Sequence, residues 1–213
     1  TWDAVEASAG AALTAVDLVA EAAWVDHSVP TRPAAPVSLT DVPMAYALCR
    51  PPGHHAAREA FGGSCYLNNA AIAADALRAR GARRVAVLDI DAHHGNGTQA
   101  IFYNRADVFY GSVHVDPAAG WFPHFMGFAD ETGHGAGQGT NRNIPLPPRS
   151  GDERWLTALD ELVDVAAEFG ADALVVSLGV DSAADDPESP LRLTQDGIRA
   201  SGILLGRMGL PTV

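Results

Sequence analysis

Val85–Gly97, VAVLDIDAHHGNG, runs from an apolar, β-branched segment straight into Asp-x-Asp-x-His-His and a glycine turn. Val85–Ile90 predicts a buried strand. Open α/β sheets bind ligands beyond the carboxyl ends of their strands, so the polar residues that follow are expected at a working edge. Asp91 and His93 lie two residues apart, and on an extended segment both would point to one side. A carboxylate and an imidazole together are two of the three protein ligands of a catalytic zinc site, which keeps its last position for water. Ionisable groups crowded at the end of a buried strand need partners or a metal. His94 alternates to the other side and is read as structural.

Strands and helices alternate on either side of this segment. Ala4–Ala23 predicts an Ala-rich amphipathic helix, and Ser28–Pro43 is a proline-rich loop. Met44–Cys49 predicts a short strand, Asn68–Arg80 a helix, and Gly95–Tyr103 a helix or turn. Val108–Val115 and Ala173–Leu178 read as strands. Gly120–Pro148, rich in Gly, Pro, His and Phe, reads as a long loop, and long loops in compact domains are commonly functional. Asp152–Phe169 carries Trp155, Leu159, Leu162, Val163 and Ala166 on one helical stripe. Thr194 is the expected N-cap of a helix reaching Arg207, and Leu210–Val213 looks like the start of a further strand. The alternation predicts an α/β fold with a parallel sheet and crossover helices. Nothing marks a boundary, so residues 1–213 read as a single domain.

Acidic residues outnumber basic ones 26 to 14, for a net charge of −12. That argues against non-specific binding of nucleic acid or anionic membrane, and it suits a cationic substrate. No apolar run approaches a membrane span. With only two cysteines, Cys49 and Cys65, a disulfide framework is not expected and a cytoplasmic location is.

Three strand ends carry polar clusters. Arg50–His55 delivers the pair His54 and His55, the second cluster is Asp89-x-Asp91-x-His93-His94, and the third is Gly179-Val180-Asp181. In a parallel sheet these ends share an edge, so Asp91, His93 and Asp181 are expected to converge on one metal. His54 and His55 would then reach its bound water. A divalent metal lowers the pKa of that water and polarises a carbonyl, and a neutral imidazole can take the proton and hand it to a leaving amine. Asp89 would orient one imidazole and Asn96 the other.

The segments RPPGHHA, GGSCYLNNAAIAA, VAVLDIDAHHGNGTQ, VHVDP…GWFP and LGVDSAADDP, in that order, resemble the zinc-dependent histone deacetylase superfamily. Phe122–Pro147 and ESPLRLT look most like its acetylpolyamine amidohydrolase branch, near class II deacetylases. The resemblance spans Thr1–Val213. It implies an arginase/deacetylase fold, three layers around an eight-stranded parallel sheet. It also implies a metal-dependent amidohydrolase that removes acetyl groups from acetylpolyamines or acetyl-lysine. Zinc would be bound by Asp91, His93 and Asp181. His55 would be the main general base and acid, with His54 acting electrostatically. A structural potassium ion would sit on Asp89, the backbone of Asp91 and His93, Ser112 and Val113. Phe122 and the backbone of Gly63 would face the substrate chain. The implied partner is a small acetylated amine or an acetyl-lysyl peptide, with a homodimer possible in this family.

Two departures stand out against that family. Ser64 occupies a tunnel-wall position that is usually aromatic, which should widen the tunnel. No tyrosine among Tyr46, Tyr66, Tyr103 and Tyr110 occupies the place of the family's Gly-Gly-Tyr oxyanion donor. The chain therefore reads as incomplete at both ends and, taken alone, impaired, because losing one oxyanion donor costs on the order of 10²–10³ in rate. Two alternatives remain open. An arginase-like binuclear manganese site would share the fold, although Gly179 stands where a second Asp is expected. A non-catalytic metal-binding scaffold would need no oxyanion donor.

Overall fold

The computed structural model describes residues 1–24 and 42–213. Most of the expected Ser28–Pro43 loop lies outside those residues. Among the described residues the strands β1 (Val85–Asp89), β2 (Val108–Val115), β3 (Asn141–Leu146) and β4 (Ala173–Ser177) form one parallel sheet in the order β3-β2-β1-β4. Helices α1 (Trp2–Trp24) and α2 (Asn69–Ala79) cover one face. Helices α4 (Asp152–Phe169) and α5 (Gln195–Gly206) cover the other, and the short α3 (Asn96–Phe102) follows β1.

The layers follow from the side-chain pattern. The central strands β1 and β2 are buried throughout, as expected for a parallel sheet covered on both faces. Val85, Val87, Val108 and Tyr110 point to α1 and α2, where Val16, Val19, Leu77 and alanines of α2 fill the space. Ala86, Leu88, Phe109 and Val113 point the other way, onto Trp155, Leu159 and Leu162 of α4. Truncating Leu162, which is fully buried, should cost about 2–5 kcal/mol. The helix signals act locally as their chemistry dictates. Asn68 Oδ1 caps Ala71 N–H at the start of α2 (2.9 Å), and Thr194 Oγ1 caps Gly197 N–H at the start of α5 (3.2 Å). Gly170 closes α4 in the left-handed region at φ 73°.

The register explains where the chemistry sits. On the α1/α2 face the strands begin with Val85, Val108 and Ala173. Near their carboxyl ends, Asn143, Ser112, Asp89 and Ser177 stand side by side across the sheet. One apolar face thus turns polar over a single row of residues.

The structure corrects three expectations. Gly120–Pro148 is not all loop, because Asn141–Leu146 forms edge strand β3. Pro145 obscures it in sequence, but proline is tolerated at a sheet edge. Met44–Cys49 is not a ladder strand. It joins through a single bridge from Met44 to Thr212, and Met44, Tyr46 and Leu48 are exposed. Asp91 and His93 lie past the end of β1 in a bend, so it is the turn, not strand alternation, that brings them together. The four parallel strands among the described residues agree with the expected deacetylase-type sheet, short of the eight that the whole family fold has. Pro211–Val213 adds a short parallel stretch beside β4, as its sequence suggested. Among the described residues no helix is long and apolar enough to cross a membrane.

Candidate metal and proton-transfer site

Asp91, His93 and Asp181 each offer one ligand atom, and all three atoms lie within 4.8 Å of one another. The turn after β1 supplies the first two and the turn after β4 the third. Backbone bonds hold these carboxylates in place: Asp91 Oδ1 accepts from His93 N–H (2.8 Å), and Asp181 Oδ1 accepts from Ala92 N–H (3.0 Å). His93 Nδ1–H donates to Asp181 Oδ2 (2.7 Å) and Asp91 Oδ1 (3.2 Å). The hydrogen bond to Asp181, then that to Asp91, raises His93 to about 10 against the pull of burial. Two carboxylate oxygens and an imidazole nitrogen brought this close together form a donor set that a dication could occupy in place of the proton. The mixed oxygen and nitrogen donor set is one that zinc accepts.

Among the described residues one cluster of three ligand groups is found here. A Cβ added at Gly179 would lie 2.0 Å from Asp91 Oδ2. No second carboxylate fits at that position, which counts against the binuclear alternative.

His54 and His55 flank this triad, and both are buried. Helix α3 fixes their turn, because two N–H groups of its first turn, Gly97 and Thr98, bond His54 O (3.0 and 3.1 Å). Asn68 Nδ2–H holds the Ala56 carbonyl, two residues on, at 2.9 Å. A Cβ on Gly97 would lie 2.4 Å from the Ala56 backbone, so only glycine permits this approach.

The two imidazoles receive different partners. His54 Nδ1–H donates to Asp89 Oδ2 (3.1 Å). Burial would lower its pKa, but the charges of Asp89 and Asp91 outweigh that and raise it to about 9. His55 Nδ1–H donates to the neutral Asn96 Oδ1 (2.8 Å). Burial and the charge of His54 lower it to about 4. The carboxylates around His54 thus favour its charged form, whereas burial and the neighbouring charge favour neutral His55, whose Nε2 carries no hydrogen bond to another described residue.

Asp89 is fully buried, and burial raises its pKa, with His54 the main opposing influence. Its Oδ1 accepts Asp91 N–H (3.2 Å), and its Oδ2 also accepts Tyr110 O–H (3.3 Å). Ser112, its neighbour across the sheet, donates its hydroxyl to His114 Nδ1 (2.8 Å). Burial keeps His114 neutral, at about 4. Its other nitrogen, Nε2, donates to Gly127 O (2.9 Å). The Val113 side chain points away into the α4 face, so only its backbone is available on the Ser112 side. His94 is structural as expected, buried and donating from Nε2 to Gln99 Oε1 (3.0 Å).

Phe122 meets His55 edge-on, with ring centroids 4.7 Å apart at 85°. Gly63 sits against the same pair, and Ser64 is exposed beside it with φ 62°. Tyr110, Asn68 and His114 are site residues that the sequence pattern did not single out. The two-residue alternation of Tyr110, Ser112 and His114 along β2 was the signal that could have found the first and last.

A histone deacetylase domain matches residues 1–211. The chain belongs to the histone deacetylase family. It is 47% identical to acetylpolyamine amidohydrolase 1 of Pseudomonas aeruginosa over 213 residues, all of this chain and 56% of that protein. It is 44% identical to the acetylpolyamine amidohydrolase of Mycoplana ramosa over 211 residues, 99% of this chain and 56% of that one. Among solved structures it matches the acetylpolyamine aminohydrolase of Burkholderia pseudomallei at 48% identity and a TM-score of 0.86, covering all of this chain and 56% of that one. A histone deacetylase homologue complexed with SAHA matches at 35% identity and a TM-score of 0.69, over 75% of this chain and 43% of that one. The chain therefore spans about half the length of the curated relatives it matches, and its α/β fold is that of the deacetylase family.

Proposed function

We propose that this protein hydrolyses the acetyl amide of small acetylated amines, acetylpolyamines foremost, and releases acetate and a free amine. One observation carries the reading: two adjacent imidazoles, one bonded to a buried carboxylate and the other to a carboxamide, flank three side chains whose ligand atoms lie within 4.8 Å of one another. Relatives that are acetylpolyamine amidohydrolases, at 44–47% identity, support the substrate class, and the net charge of −12 suits a cationic amine.

Asp91, His93 and Asp181 would hold a zinc ion, which when bound supplies Lewis-acid polarisation of the acetyl carbonyl and a more acidic water. The chain's own groups do the rest. His55 Nε2 takes a proton from the attacking water and delivers it to the amine nitrogen as the C–N bond breaks. Asn96 keeps that nitrogen unprotonated until it is needed, by holding the proton on Nδ1. His54, charged by Asp89, places a positive charge beside the developing oxyanion. Phe122 and Gly63 line the approach, and Ser64 leaves it wider than an aromatic side chain would. Asp89, the Asp91 and His93 backbone, Ser112 and the Val113 backbone suit a potassium ion. The Ser112 proton goes to His114, which leaves the hydroxyl lone pairs for a cation.

The deciding experiment compares zinc-reconstituted turnover of N-acetylputrescine and an acetyl-lysyl peptide by the full-length gene product. Faster turnover of the small amine is the expected result. Preference for the peptide would make the protein a protein deacetylase. Zinc bound with no turnover of either would favour the scaffold alternative.

A further inference from the structure

The loop from Trp121 to Glu131 carries Phe122 to the mouth of the site, and its far half is anchored almost wholly by polar bonds. Gly127 lies over two buried imidazoles, His94 and His114, whose ring centroids are 4.7 Å apart. A Cβ at Gly127 would sit 2.7 Å from both His114 Nε2 and His94 Cγ, and its φ of 95° already belongs to glycine. His114 Nε2–H holds Gly127 O at 2.9 Å. On the other side of the residue, Gly127 N–H donates to the Glu131 carboxylate (3.0 Å to Oε2). Glu131 Oε2 also accepts from Gln99 Nε2–H (2.5 Å). The edge strand adds Asn143 Nδ2–H to Phe128 O (3.2 Å) and Asn141 Nδ2–H to Glu131 O (2.6 Å).

We infer that His114 is a positioning residue for substrate binding: it ties Gly127 to β2 and so sets where the Trp121–Glu131 loop holds Phe122 against His55. The inference rests on the proposed amidohydrolase activity and deepens it. His114 touches neither the metal cluster nor the tandem histidines by hydrogen bond. Its two bonds run to the loop and to Ser112. Among the described residues, no other side chain on β2 bonds to this loop. Phe122 itself is 39% exposed, so packing alone holds it weakly, and its aim depends on where the loop backbone is fixed. A loosened loop should weaken the grip on substrate and leave the proton-transfer pair intact. That is a KM effect with little change in kcat.

The test uses the zinc-loaded full-length protein with His114→Phe, His114→Gln and Glu131→Ala. Phenylalanine fills the ring's space without a donor, whereas the glutamine amide keeps a donor where Nε2 stood. Glu131→Ala frees the opposite side of Gly127 through a partly exposed residue, so it carries the test should His114→Phe not fold. Two readouts are needed: KM and kcat for N-acetylputrescine, and amide hydrogen exchange of residues 121–131. The expected result for His114→Phe and Glu131→Ala is a KM about tenfold higher, a kcat within about twofold, and faster exchange in the loop but not in β1. His114→Gln should keep KM within about twofold of wild type. An unchanged KM in folded His114→Phe or Glu131→Ala overturns the inference, whether or not exchange quickens. So does a raised KM with unchanged loop exchange. If the wild-type protein turns over no acetylated amine, the proposed function fails instead, and the exchange data still decide whether His114 fixes the loop.

Discussion

His54 and His55 stand with ring centroids 3.9 Å apart, yet one is oriented by the carboxylate of Asp89 and the other by the carboxamide of Asn96. A carboxylate stabilises an imidazolium, and a neutral amide oxygen does so far less. Each histidine also acts on the other, since the charge on His54 helps keep His55 neutral. Replacing Asp89 by Asn should therefore lower His54 from about 9 and relax the suppression of His55, which NMR titration of the imidazole protons would follow. His55→Ala should reduce turnover by at least about 10³-fold while elemental analysis finds the metal still bound. Near-normal activity in that variant would remove His55 from the proton-transfer role.

Metal retention should depend on a residue that cannot itself bind a metal. Asp181→Ala removes one of the three proposed ligands, and its metal content should fall to background. Gly179→Ala deletes none, but its new Cβ would sit 2.0 Å from Asp91 Oδ2. Asp91 must then turn away, and affinity should fall about 10–100-fold, the range seen when the groups around ligands are disturbed. Zinc titration against a competing chelator measures both. Wild-type affinity in Gly179→Ala would show that the turn after β4 yields more easily than its packing suggests.

The legibility of this molecule follows the kind of force at work in each part. Val85–Asp89, Val108–Val115 and Ala173–Ser177 were readable because buried parallel strands must be continuous apolar runs. The convergence of Asp91, His93 and Asp181 was readable because the ends of neighbouring parallel strands share one edge of the sheet. Asn141–Leu146 was not readable, since its register with β2 is set by a neighbour and Pro145 weakens the local signal. Met44–Cys49 had a strand's composition but finds only one bridging partner among the described residues. The Gly127–His114 contact was hidden for a different reason. It joins residues thirteen positions apart through a backbone carbonyl, and a carbonyl leaves no mark in composition.

Stability should respond to acid through His114. Burial depresses its folded-state value to about 4, below the ordinary 6.5. Between those values the unfolded chain binds a proton that the folded protein refuses, so stability falls as pH drops from 6.5 toward 4. His114→Gln lacks this group and should escape that part of the loss. Urea unfolding at pH 7 and pH 5 should show wild type losing about 2 kcal/mol more than His114→Gln over the interval. Equal losses would mean that His114 is protonated in the folded state.

The mouth of the site should be tunable at two neighbouring residues with opposite results. Gly63 has φ 52°, and a Cβ there would lie 2.3 Å from His55 Cδ2 and 2.9 Å from Phe122 Cε1. Gly63→Ala should force the His55 and Phe122 rings apart and lower kcat/KM by about 10²-fold, the scale of a small misplacement of reacting groups. Ser64 already tolerates a positive φ of 62° and its side chain is exposed. Ser64→Tyr adds a ring without entering the His55–Phe122 contact. It should narrow the approach, lower KM for N-acetylputrescine and raise it for an acetyl-lysyl peptide. Steady-state kinetics on both substrates would settle the matter. If Ser64→Tyr changes both KM values equally, Ser64 does not line the substrate's path, and the width of the mouth is set elsewhere.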